Sequence, residues 1–360
     1  LALPGAVPPA KLGGMTPDCS IIVRSPAEAV AFTPYVLGFH PTDSLVVLGL
    51  AGKLVVVGVR YDLPPPAAVF DEVAQMIAQQ GAPEVVVLGY GPPRLVTSAV
   101  LGLVAALAPV GVRVREALRV TDGRWWSYSC SDQTCCPAEG TPCRADLAAE
   151  AVYRGMVALP DRKALVAQVA PATGPIRREM AAATERARAR FADLTGEDLE
   201  AGRGGQLIRK AGRQAVREAE RATRAGGMPS HGGIAWLGVL LVRPVVLDYA
   251  LDRCGPDDWR ERLWGEVMRL VEPEFVPGPA CLLAFAAWQS GNGALARVAI
   301  DRALKQEPAH RMAGMLDRLL GLGIAPHALV ELRSPVRASQ GRRRPGSDRQ
   351  ARRSTRRRSV

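Results

Sequence analysis

Four of the chain's seven cysteines fall in WWSYSCSDQTCCPAEGTPC, residues 125–143, at Cys130, Cys135, Cys136 and Cys143. Thiolates are nucleophiles and soft-metal ligands, while the neutral thiol is a small apolar side chain, so packing, zinc binding and redox or nucleophilic work are all open. The pattern C-x4-C-C-x6-C is not the paired C-x2-C of a zinc ribbon, and adjacent Cys135 and Cys136 are expected to project in different directions. Packing is therefore the leading expectation. A zinc site on Cys130, Cys135 and Cys136 comes second, and a thiolate activated by Arg124 or a helix dipole third. An odd total of seven suits a reducing compartment, where disulfides are disfavoured.

A second constellation lies in YVLGFHPTDSLVVLGL, residues 35–50, where His40, Asp43 and Ser44 fall on a loop leading into a strand-like run. An imidazole, a carboxylate and a hydroxyl within five residues are the chemical groups of a triad. Triad members, however, come from separate elements brought together by a fold, and Asp43-Ser44 before a strand also reads as turn chemistry. Structural loop closure is the first expectation; a binding or catalytic role for His40, Asp43, Ser44 and Arg60 is the second. The glycines form neither GxGxxG nor GxxxxGK, so no nucleotide site is indicated.

The elements that must carry these loops alternate in the first half. Ser25-Pro26-Ala27-Glu28 places a capping residue, a proline at a first helical position and an acid in the first turn, which starts a helix ending near Gly38. SIIV (20–23), SLVVLGL, KLVVVGVR and EVVVLGY read as strands, the middle two linked at Ala51-Gly52. Helices are predicted over about 66–80 and 95–108, and VRVREALRV pairs with RWWSYSC across Thr121-Asp122-Gly123. Strands apolar on both faces predict an α/β fold: a mixed, partly parallel sheet covered by helices, the final hairpin forming an antiparallel edge.

From about Asp146 the chain reads as all-α. Residues 176–224 carry twelve Lys or Arg against eight Asp or Glu, as expected for solvated helical faces. Further on, Ala284, the Gly291-Asn292-Gly293 turn, Ala296, Ile300, Ala303 and Pro308 match the spacing of a tetratricopeptide-like hairpin, read as a packing motif rather than a peptide groove.

Charge excludes less than it first suggests. Most of the net +11 lies at the C-terminal end: residues 333–360 hold eleven arginines and one acid, 11 − 1 = +10, leaving +1 for the other 332 residues. This tail has too few apolar residues to offset ordering entropy and is expected to be disordered, a solubilising extension or a nonspecific nucleic-acid contact. LALPGAVPPAKLGGM, interrupted by prolines and without a basic start, does not read as a signal peptide, and Met15 is a candidate natural start. Leu95–Val112 and Ile234–Ala250 are broken by polar residues or prolines, so no membrane span and a cytoplasmic location are expected.

LGFHPTDSLVV, VRYDLP (59–64), WWSYSCSDQTCCPAEGTP and AFAAWQSGNGALARVAIDRAL together resemble the actinobacterial domain of unknown function 4192 family, over residues 19 to about 326. The W-S-x-x-C-x4-C-C-P-x-E-G segment is matched by Trp126, Ser127, Cys130, Cys135, Cys136, Pro137, Glu139 and Gly140. The resemblance implies no reaction; it highlights His40, Asp43, Ser44, Arg60 and three cysteines. Cys143 lies outside the segment, so His40 or Glu139 would have to complete a four-ligand site. The expected organisation is a flexible extension (1–18), an α/β domain (19–145), a helical domain (146–330) and a basic tail (331–360). The leading functional expectation is a ligand- or partner-binding protein, with a protein partner at the helical domain. An enzyme built from the His40 and Cys130–Cys136 loops, and a nucleic-acid binder acting through the tail, are the alternatives.

Overall fold

Helix α1 (Pro26–Leu37) begins at Ser25, whose hydroxyl accepts the Glu28 N–H at 3.2 Å while the Glu28 carboxylate accepts the Arg24 N–H at 2.7 Å. Two donors at the helix start are thereby satisfied. The helix ends at Gly38, whose φ of 79° is the left-handed conformation that turns the chain out of a helix. The computed structural model describes residues 21–153, 156–196, 204–324 and 326; the N-terminal extension and the basic tail lie outside the described residues.

Strands β1 (Ser44–Ala51), β2 (Leu54–Asp62), β3 (Glu84–Tyr90), β4 (Arg113–Thr121), β5 (Arg124–Ser127) and β6 (Thr141–Pro142) form one sheet in the order β2-β1-β3-β4-β5-β6. The β3–β4 pair is parallel and the other four pairs are antiparallel. This is the mixed, partly parallel sheet with an antiparallel edge that the apolar runs predict. On one face Leu45, Val47, Val57, Val59, Val85 and Val87 pack with helices α2 (Ala68–Gln79) and α3 (Pro93–Leu107) through Val73, Ile77, Val100 and Leu103. On the other face Val36 of α1 sits against Gly58. Among the described residues, SIIV contributes an isolated bridge, Ile22 to Leu54, rather than a strand.

The β1–β2 turn falls at Gly52-Lys53, one residue later than Ala51-Gly52, because Ala51 still pairs with Leu54. A bulge follows: Leu50 pairs with Val55 and Gly49 with Val57, leaving Val56 as the extra residue on β2. Strand side chains alternate faces, so one extra residue exchanges the faces of everything beyond it.

After β6 the named elements among the described residues are helical: α4 (Ala145–Tyr153), α5 (Arg162–Gln168), α6 (Pro175–Thr195), α7 (Gly204–Arg224), α8 (His231–Leu241), α9 (Pro244–Asp252), α10 (Asp258–Leu270), α11 (Pro277–Gln289), α12 (Gly293–Gln306) and α13 (Arg311–Gly321). All of Pro277 to Trp288 is buried, as a helix apolar on every side must be. Ala284, Ala296, Ile300 and Ala303 are buried where α11 and α12 form a helical hairpin. The charged stretch 176–224 is not simply solvated: Arg190 lies 4.2 Å over Trp236, and Arg224 4.8 Å over Trp259.

The described residues through Ile324 belong to one compact unit. Leu159 pairs with the loop after α1, Arg162 bonds Asp301 at 3.0 Å, and Arg302 donates to the Val169 carbonyl. Among the described residues no single helix is long and apolar enough to cross a membrane; the apolar pair α8 and α9 is bent by 111°.

Candidate functional site

Ser44 opens β1 and is fully buried. Its hydroxyl donates to the Thr42 carbonyl at 2.6 Å and accepts from Arg60 Nε at 2.9 Å. Arg60, 5% exposed, also bonds the exposed Asp62 carboxylate and lies 5.9 Å over the Phe39 ring. The bulge makes this possible. With Val46 opposite Arg60 and Ser44 opposite Asp62, all four residues share one face. Were Val56 paired with Gly49 in regular register instead of bulged, Arg60 would fall opposite Leu45 and point to the α2–α3 side.

The other two residues of the loop behave differently. Asp43 takes a left-handed φ of 42°, and its carbonyl accepts the Leu63 N–H at 2.9 Å, tying the loop to the end of β2. His40 is exposed, and its backbone N–H donates to the Leu159 carbonyl at 2.9 Å, while the Leu159 N–H donates back to Gly38 at 2.8 Å. Its imidazole makes no hydrogen bond to Asp43 or Ser44 among the described residues. Ser44, Arg60 and Asp62 are thus brought together, and His40 stays outside that group.

The cysteine loop is built on the β4–β5 hairpin, whose tight turn pairs Thr121 with Arg124. Arg119 stacks on Trp126 at 3.7 Å, and the indole N–H donates to the Ala138 carbonyl at 3.0 Å. Gly140, at φ 81°, lies against the same indole, where a Cβ would overlap the ring. Arg124 donates to the Gly140 carbonyl at 2.7 Å, closing the loop's two ends. Within it the Ser127 hydroxyl accepts the N–H groups of Ser129 and Cys130, each at 3.1 Å. The Asp132 carbonyl accepts those of Cys135 and Cys136 at 3.2 and 2.7 Å.

These bonds wrap the backbone so that the Sγ atoms of Cys130, Cys135 and Cys136 all lie within 4.8 Å of one another, with 3.9 Å between Cys135 and Cys136. The adjacent pair therefore converges, contrary to the expected divergence, because both residues sit in one turn closed on Asp132. Nor is the cluster core packing: Cys135 is exposed and the other two are half-buried. Among the described cysteines Cys281 is the buried one, its thiol pushed up to about 12 by burial. Burial and the two neighbouring thiols push Cys136 up to about 12, whereas the Thr134 N–H holds the Asp132 carboxyl below its ordinary value. Cys143, His40 and Glu139 are not part of the three-sulfur group.

In register, Ser44 faces Tyr90, Tyr90 faces Val120, and Val120 faces Trp125, so two strands separate β1 from β5. No hydrogen bond joins the His40 loop to the cysteine loop among the described residues. Sequence reasoning missed Asp62, Arg119 and Asp132. Arg119 was within reach, because the Asp122-Gly123 turn sets the Arg119–Trp126 pairing; Asp62 was hidden by the bulge.

The fold and its two loops define a mixed-sheet α/β protein with a thiol-bearing edge hairpin and a helical C-terminal part. Residues 26–327 match the model of a domain of unknown function (DUF4192), and the chain belongs to that family. No curated protein and no solved structure matches it.

Proposed function

We propose that this chain is an interaction protein that binds a ligand or partner without turning it over. The observation that carries this reading is the state of Ser44: its proton goes to the Thr42 carbonyl and its oxygen accepts from Arg60, with no imidazole bonded to it. A serine nucleophile needs a base within hydrogen-bond reach. Here the hydroxyl instead anchors the loop to β2.

The test uses the full chain with an organophosphorus serine probe and a panel of simple esters, beside His40→Ala. The expected result is no labelling of Ser44 and no ester turnover. Ester turnover that His40→Ala abolishes would overturn the reading. Binding to a purified candidate partner, measured calorimetrically, is expected to be saturable and unchanged by His40→Ala.

A further inference from the structure

We infer that Cys130, Cys135 and Cys136 form a site for one zinc ion, held by three thiolates with its fourth coordination position open to an external donor. The inference is independent of what the His40 loop does. Zinc–sulfur bonds of about 2.3 Å place two sulfurs of a tetrahedral site ~3.8 Å apart. Cys135 and Cys136 stand at 3.9 Å, and the third sulfur completes a triangle with no side above 4.8 Å. Small side-chain rotations bring all three onto one ion.

The loop's construction points the same way. Ser127 and Asp132 take up the N–H groups of Cys130, Cys135 and Cys136, so the backbone is fixed while the thiols themselves are left facing each other. The six described cysteines are free thiols. A donor set made only of sulfur favours soft ions over magnesium or calcium, which take oxygen. Cys135 is exposed, giving an ion an entry path. Binding releases the thiol protons to solvent as each sulfur ligates.

The fourth position follows from the same geometry. No His, Asp or Glu joins the three-sulfur group among the described residues. A structural zinc is closed by four protein ligands, whereas three leave a place for water or an incoming group. The external donor fitting an exposed thiolate-bound zinc is a small neutral or anionic ligand such as a thiol or imidazole.

The experiment loads the reduced full chain with zinc, removes excess, and measures metal by elemental analysis. The expected result is one equivalent per chain, lost in Cys130→Ser, Cys135→Ser and Cys136→Ser and kept in Cys143→Ser. Because a variant can fail through misfolding, native alkylation of the unmutated protein provides a second readout. Zinc is expected to protect the peptide carrying Cys130, Cys135 and Cys136 and leave the reactivity of Cys143 unchanged. Cobalt substitution then reads the fourth position: thiolate-to-metal charge-transfer absorption should appear and shift on adding imidazole. Failure to retain zinc with all three thiols reduced, retention in the single variants, or a Cys135–Cys136 disulfide in place of metal would overturn the site. A cobalt spectrum indifferent to imidazole would overturn the open position.

Discussion

Arg60 illustrates how one buried charge can hold a loop. Its guanidinium reaches Ser44 and Asp62 and lies over the Phe39 ring. Arg60→Met is expected to cost about 2–3 kcal/mol in urea unfolding, the scale of a lost charge-assisted hydrogen bond. His40→Ala, at an exposed side chain, should change stability by less than about 0.5 kcal/mol. At the opposite edge, Gly140→Ala combines a left-handed backbone with overlap of the Trp126 ring, and should cost about 2–4 kcal/mol. A change in native tryptophan fluorescence in that variant would report displacement of the indole.

At the scale of elements, β4 carries a group whose ionisation works against folding. Glu116 is half-buried, and burial raises its pKa despite the nearby Arg115. A carboxyl raised in the folded state stabilises the fold only while protonated: its contribution is present below the ordinary glutamate value and is lost as pH rises through the folded value. Glu116→Gln should therefore raise the melting temperature at neutral pH, and that gain should vanish as pH falls below the ordinary glutamate range. Helix α1 is simpler. Ser25→Ala should cost about 1 kcal/mol, the usual worth of an N-cap.

Elements of this kind were the legible part of the sequence. The Ser25 cap, Gly38 stop, valine-rich strands and Asp122-Gly123 turn each carry local signals that the fold obeys. The site was less legible. Val56 looks like any other strand valine, yet as a bulge it moves Arg60 to the face of Ser44. The convergence of Cys135 and Cys136 depends on a turn around Asp132 that spacing alone does not announce. Local signals specify elements; faces and meeting points depend on register.

For the molecule as a whole, the change from sheet to helices after β6 suggests two domains, but the connections run across it. Leu159 pairs beside His40, and Gly323, just after α13, lies against Met76 of α2. Calorimetry of the full chain is expected to show a single unfolding transition; two resolved transitions would establish that the sheet and helical parts fold independently.

The Leu159 pairing also sets a timetable. The His40 loop and its partner are 159 − 40 = 119 residues apart. At about 5–20 residues per second, roughly 6–24 s of synthesis separate them. During that interval Gly38 and His40 still lack their final backbone partner, so the nascent chain presents an open loop that the finished protein closes.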